Sequence, residues 1–259
     1  METILLYFSR FKMAHSSRQL GFPPPRTWGG RRAGAGRKPA PGRRPGVAHA
    51  TRPPHHAGHP VHVTIRTGPT IRCLRSVRVF PSVRRALVAS SRRGFRVVHF
   101  SVQDDHLHLI VEADDRATLA RGVRGLAIRM ARAVNRVLGR RGAVCADRYH
   151  ARALTSPRAV RHALIYVLMN RRKHCAGERG LDPCSSAPWF TGWRNALATL
   201  PGPPPVVGAR TWLAAVGWRR HGLIDGATEC PRTKRPCRKA HHGHLDRYLP
   251  RQEDRSAGR

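Results

Sequence analysis

The chain has 259 residues, with 49 Lys and Arg against 14 Asp and Glu, a formal net charge of +35. A compact protein with that imbalance repels itself unless polyanions are near, and nucleic acid is the usual polyanion. No stretch approaches the ~18 apolar residues of a membrane-spanning helix, so the charge is not that of an integral membrane protein.

The six cysteines, Cys73, Cys145, Cys175, Cys184, Cys230 and Cys237, never fall at the spacing of a structural zinc site. They read as reduced thiols of a cytoplasmic, nucleoid-associated protein, although Cys230 and Cys237 precede His241, His242 and His244 at a loose metal-like spacing. Met1–Phe8 lacks a basic leader region and a cleavage site. Residues 1–12 match no later element of the chain, so Met13 is an alternative start and the upstream stretch is expected to be dispensable.

Residues 1–59 form the first segment, and from residue 21 it is punctuated by Gly, Pro, Arg and His. It is expected to be a flexible basic arm that cannot bury enough apolar surface to offset its ordering entropy. From about 60 to 175 the pattern becomes that of a folded domain. Val61–Thr67 alternates like a strand, and Ser76 to about Ser91 reads as a helix with Val77, Phe80, Val83, Leu87 and Val88 on one side. Phe95–Gln103 is a second strand. The Asp104-Asp105 turn joins it to a third, His106-Leu-His-Leu-Ile-Val-Glu112.

Alternation along that third strand sends Leu107, Leu109 and Val111 to one face, and His106, His108 and Ile110 to the other. Next comes a long helix, about Ala117–Arg141, capped by Asp114 or Asp115 and broken by Gly142. Leu119, Val123, Leu126, Met130, Val134 and Val137 make its apolar stripe. Arg121, Arg124, Arg129, Arg132, Arg136 and Arg140 make the opposite one. Six arginines without acidic partners at i±4 suit a DNA-binding surface, and a plainly solvated helix face gives the same pattern. Val144–Leu154 reads as a fourth strand. Ser156 then caps a third helix, Pro157–His174, on which His162, Tyr166, Asn170 and His174 recur at steps of four.

The order βαββαβ plus a helix is α+β: a ferredoxin-like or RRM-like antiparallel sheet with an added C-terminal helix. The first two helices cover one sheet face, leaving His106 and His108 to look out on the other, where the third helix packs. Two imidazoles and the Asn170 carboxamide would leave open positions on a divalent ion such as Mg²⁺ or Mn²⁺. Such an ion polarises a phosphate, and Tyr166 stands one turn away as a nucleophile. The same Tyr166 on a packed helix also reads as a half-buried seam aromatic.

A His-hydrophobic-His strand, an Arg-rich helix and a later Tyr-x3-Asn helix together resemble the single-tyrosine HUH transposases, in particular their REP-associated branch. The segments that carry the resemblance are Pro60–Arg66, Asp105–Val111, Asp147–Arg152 and Tyr166–Asn170. It implies cleavage and rejoining of single-stranded or hairpin DNA through a 5′-phosphotyrosine. Tyr166 would be the nucleophile, His106, His108 and Asn170 the metal ligands, and Mg²⁺ or Mn²⁺ the cofactor, in a monomer or homodimer. The alternative from another class is a non-catalytic DNA- or RNA-binding protein with an RRM-like sheet. Residues 176–228, rich in Trp, read as an ordered appendage expected to pack back on the domain, and 229–259 as a basic disordered tail.

Overall fold

The computed structural model describes residues 52–174, 180–195, 202–229 and 231, all within the compact unit Gly46–Arg259. The arm before residue 52, the Met13 start, Cys175, Cys230, Cys237 and the basic tail lie outside the described residues. The elements run β1 (Val61–Arg66), α1 (Phe80–Val88), β2 (Phe95–Val102), β3 (His106–Ala113), α2 (Arg116–Leu138), β4 (His150–Ala153), α3 (Pro157–Leu168), α4 (Asn170–His174) and α5 (Trp212–Ala215), with 3₁₀ turns at Ala187–Trp189 and Gly217–His221. The four strands form one antiparallel sheet in the order β2-β3-β1-β4. This is the α+β, βαββαβ-plus-helix arrangement the sequence predicts.

Each sheet face has its own core, as the alternation on β3 requires. Leu107, Leu109 and Val111 are buried with Val63, Ile65, Phe100 and the inner stripe of α2. Ile110, on the opposite side, is buried with Val160, Leu164, Val167 and Leu168 of α3, and with Phe190, Leu213 and Trp218. Ala187, Phe190, Leu213, Trp218 and Ile224 thus supply five of the fourteen buried residues described in the second core. The aromatics Phe190 and Trp218 pack back on the sheet, whereas Trp212 is exposed. Gly122 lets α2 settle onto β2, because a Cβ there would lie 2.3 Å from the Phe95 ring.

Several element ends differ from the sequence reading. The first helix begins at Phe80 because residues 73–79 close as turns, Ser76 N–H to Cys73 O and Val79 N–H to Ser76 O. Ser90 Oγ–H donates to Ala86 O near its other end, and Val77 and Val88 are exposed rather than apolar contacts. Asp115, not Asp114, caps α2 by accepting from Thr118 N–H. That helix ends at Leu138, because Gly139 takes a left-handed φ of 61° three residues before Gly142. The fourth strand is regular only over His150–Ala153. Cys145 bridges Thr67 just past β1 and Ala146 N–H donates to Arg66 O, the pairing breaks where Asp147 Oδ1 accepts its neighbour Arg148's N–H, and it then resumes. Ser156 caps α3 with Pro157 at its first turn, as expected, but the helix is interrupted at Met169 (φ −112°, ψ 17°) before α4.

Two buried polar ties hold the appendage down. Arg75 makes a bidentate pair with Asp182 at 2.9 and 2.7 Å, and its Nη1 also donates to Val102 O. Glu112, at the end of β3, accepts from the N–H groups of Arg210 and Thr211 and from the Thr211 hydroxyl. Cys73, Cys145 and Cys184 are thiols without disulfides, and burial pushes Cys184 up to about 12. No helix among the described residues is long and apolar enough to cross a membrane.

Removing one partner of a buried pair leaves an uncompensated charge, so Asp182→Ala should destabilise the protein by about 3–5 kcal/mol. The double change Arg75→Met with Asp182→Leu should cost much less. Urea unfolding measures both, and an Asp182→Ala variant within about 1 kcal/mol of the parent would show that the pair does not anchor the appendage.

Candidate active site on the outer sheet face

The site is assembled by strand register. His106 pairs with Arg66 and His108 with Thr64 across β3 and β1, while Ser101 of β2 sits on the other side of His108. Directly paired residues share a face, so Ser101, His108, Thr64 and His150 form one row across the outer sheet surface. His99, Ile110, His62 and Arg152 form the next. Helix α3 lies over these rows and brings Tyr166 down onto them.

Four rings are contiguous there. The centroids of His106 and His108 are 4.7 Å apart, His108 and Tyr166 5.0 Å, His62 and His108 5.3 Å, and His62 and Tyr166 5.6 Å, most of them edge to face. His108 is 5% exposed. Its Nδ1 lies 3.1 Å from Thr64 Oγ1 and 3.3 Å from His62 Nε2, which assigns any ligation by this imidazole to Nε2. His106 Nδ1 is 2.6 Å from the Asp105 carboxylate, an arrangement that orients the ring and likewise points ligation to Nε2. The hydrogen bond from His106 holds the Asp105 carboxyl below its usual range.

Asn170 comes four residues after Tyr166, across the Met169 interruption. It is fully buried, and neither its Nδ2 nor its Oδ1 has a hydrogen-bond partner among the described residues. Buried amides are almost always satisfied, so among the described residues this carboxamide stands as a donor set open to a ligand. His162 is exposed on α3, and the side chain of His174 lies outside the described residues. Among the described residues no group of three or more His, Cys, Asp or Glu converges as a metal cluster. The convergent donors are two imidazoles, with the carboxamide on the neighbouring helix.

The arginine stripe is not brought to this face. The apolar side of α2 is buried in the opposite core, so Arg121, Arg124, Arg129, Arg132 and Arg136 are exposed on the far side of the sheet from the histidines. Arg140 is half-buried, with Nη2 donating to Ala143 O at 3.4 Å. Tyr149 is also on that far side, packed against the helix-covered core, with the Arg52 guanidinium 3.7 Å above its ring. Of Tyr149 and Tyr166, only Tyr166 meets the histidines.

Sequence reasoning missed His62, Thr64 and Asp105 as parts of the site. The signal was present in β1, where His62, Thr64 and Arg66 alternate with Val61, Val63 and Ile65, but only the register shows which histidine they meet. His99, which shares the outer face, has Nδ1 3.2 Å from Ser186 Oγ and its ring against Phe190.

No family model matches the chain, and no curated protein matches it. The chain is similar to a solved REP-associated tyrosine transposase bound to a REP hairpin, at 17% identity and a TM-score of 0.45, over 54% of this chain and 82% of that one. It is also similar to a candidate transposase of Deinococcus radiodurans R1, at 16% identity and a TM-score of 0.32, over 40% of this chain and 82% of that one.

Burial pushes both His62 and His99 down to about 4, His62 with added repulsion from His150 and Arg152. An unfolded histidine protonates near pH 6.5 while these resist, so the unfolded chain binds more protons between pH 6.5 and 4. Stability should therefore be full above pH 6.5 and fall as the pH drops through that window, by up to about 1.4 kcal/mol per pH unit for each histidine. Urea midpoints between pH 7 and 5 test this, and His99→Gln should flatten the slope. An unchanged slope in that variant would contradict the assignment.

Proposed function

We propose that this protein is a metal-dependent enzyme that cleaves and rejoins single-stranded DNA, with Tyr166 as nucleophile and His106, His108 and Asn170 as ligands. The observation that carries the reading is the Tyr166 ring 5.0 Å from His108, which itself meets His106 edge to face. A tyrosine beside two imidazoles whose Nδ1 atoms are already oriented is a nucleophile beside a half-built metal site. The buried Asn170 amide, unpartnered among the described residues, and the hard and borderline character of O and N donors fit Mg²⁺ or Mn²⁺.

Such an ion, when bound, would polarise the scissile phosphate and neutralise charge that develops on it. The exchange of bonds falls to the chain's own residues. The Tyr166 hydroxyl gives up its proton to solvent as its oxygen attacks phosphorus, the new O–P bond forms as the bond to the departing 3′ oxygen breaks, and that oxygen takes up a proton from solvent and leaves as a 3′-hydroxyl. The 5′ phosphate remains on the tyrosine until a free 3′-hydroxyl reverses the exchange. Asp105 and Thr64 hold the imidazoles in position, and Tyr166 is itself half-buried against the core that α3 forms with Phe190, Leu213 and Trp218. An RRM-like binder instead needs exposed aromatics on its central strands. Here the corresponding face of β1 and β3 carries His62, Thr64, His106 and His108 beneath a helix.

Incubation with hairpin-bearing single-stranded oligonucleotides and Mn²⁺ should yield a covalent protein–DNA adduct. Tyr166→Phe should abolish it, with DNA affinity within about twofold (roughly 0.4 kcal/mol) of the parent, while Tyr149→Phe should retain it. His106→Ala and His108→Ala should each weaken Mn²⁺ binding, read by calorimetry, by at least about tenfold. Adduct that persists in Tyr166→Phe would overturn the reading.

A further inference from the structure

On the reverse side of the sheet, a cleft of about 660 Å³ runs between the first half of α2 and residues 145–149. The volume lies within the ~300–1,000 Å³ range of ligand clefts. Its floor is apolar, with Ile65, Ala120 and Val123, while Arg52, Arg121, Arg124 and Arg148 line it against a single carboxylate, Asp147. That carboxylate is engaged locally, since its Oδ1 accepts the Arg148 N–H at 2.6 Å. Within the cleft the guanidinium of Arg52 lies over the Tyr149 ring and donates to the Tyr149 carbonyl at 2.6 Å, so a cationic stack is already built.

An apolar floor, a cation–π stack and an excess of arginine match one chemistry: unstacked nucleobases joined by phosphates. Basic side chains also continue from the cleft over the edge of the sheet. Strand β4 is the edge strand, and after Arg148 it carries His150 and Arg152, both exposed, on the outer face beside Thr64 and His62. We propose that the cleft holds a flanking segment of single-stranded DNA, which passes over β4 to reach Tyr166 on the other face. The identity of the ligand rests on the strand-cleaving reading, and the cleft itself does not.

The test measures binding alone, with Tyr166→Phe protein and no metal, so it does not depend on cleavage. The parent should bind an oligonucleotide of about 20 nucleotides much more tightly than one of about 6, since only the longer can span both faces. Changing Arg124 and Arg148 together to Gln should remove about tenfold of that length advantage and lower the log–log salt slope by about 1.4, or about 0.7 per lost phosphate contact. Changing Arg129 and Arg132 together to Gln, on the same helix beyond the cleft, should leave most of the length advantage in place. Equal loss in both pairs would assign the effect to overall charge and overturn the cleft, as would no loss in either. Should the Arg124/Arg148 variant fail to fold, ultraviolet crosslinking of a thymine-containing oligonucleotide to the unaltered protein decides: crosslinks in peptides that contain residues 145–149 support the site, and their absence overturns it. Affinity changes as expected without any covalent adduct in the metal-supplemented parent would leave the cleft standing and refute the strand-cleaving reading instead.

Discussion

The antiparallel pairing of β3 with β1 sets His108 opposite Thr64 and His106 opposite Arg66, and that register decides which side chains can meet. Alternation has a period of two, so a slip by one residue would carry both histidines into the α1/α2 core and expose Leu107 and Leu109. The apolar side of β3 is fully buried, which makes such a slip prohibitively costly. The positions of the imidazoles on the outer face are therefore enforced by the core beneath them. Tyr166 is placed in the same way, because Val160, Leu164, Val167 and Leu168 bury the other side of its helix.

A polar face of that kind does not pack by itself. The second core forms because Ile110 and α3 are joined by Phe190, Leu213, Trp218 and Ile224 from the appendage. Glu112 and Asp182 fix that appendage through charge-assisted hydrogen bonds to backbone N–H groups and to Arg75. The consequence for chemistry is a sheltered surface on which His62 and His99 stay neutral far below their ordinary range, and on which His108 is nearly closed to solvent. Local charges count for more in such surroundings than in open water.

Much of this was legible in the sequence, for identifiable reasons. Period-two alternation in β3 and the 3.6-residue stripe of α2 both report a half-buried element, so the two-faced sheet and the side of each histidine could be read directly. Ser156 and Pro157 announced α3 through capping chemistry. What could not be read was non-local. The Val61–Arg66 alternation shows that His62 and Thr64 share a face but not that they reach His108, because register is set by pairing between distant strands. The arginine stripe on α2 was visible as a stripe, yet only the layer order places it across the sheet from Tyr166. The shortening of β4 reflects Asp147 bonding its own neighbour, and the Met169 interruption of α3 leaves no mark in the apolar pattern.

On the proposed function, Tyr166, and no other side chain, meets the scissile phosphate beside the paired imidazoles. The most direct measurement digests the protein–DNA adduct formed with Mn²⁺ and locates the modified residue by peptide mass spectrometry. The expected result is a nucleotide mass on the peptide that contains Tyr166. The same mass on the Tyr149 peptide, or on any residue of the α1/α2 side of the sheet, would contradict the claim.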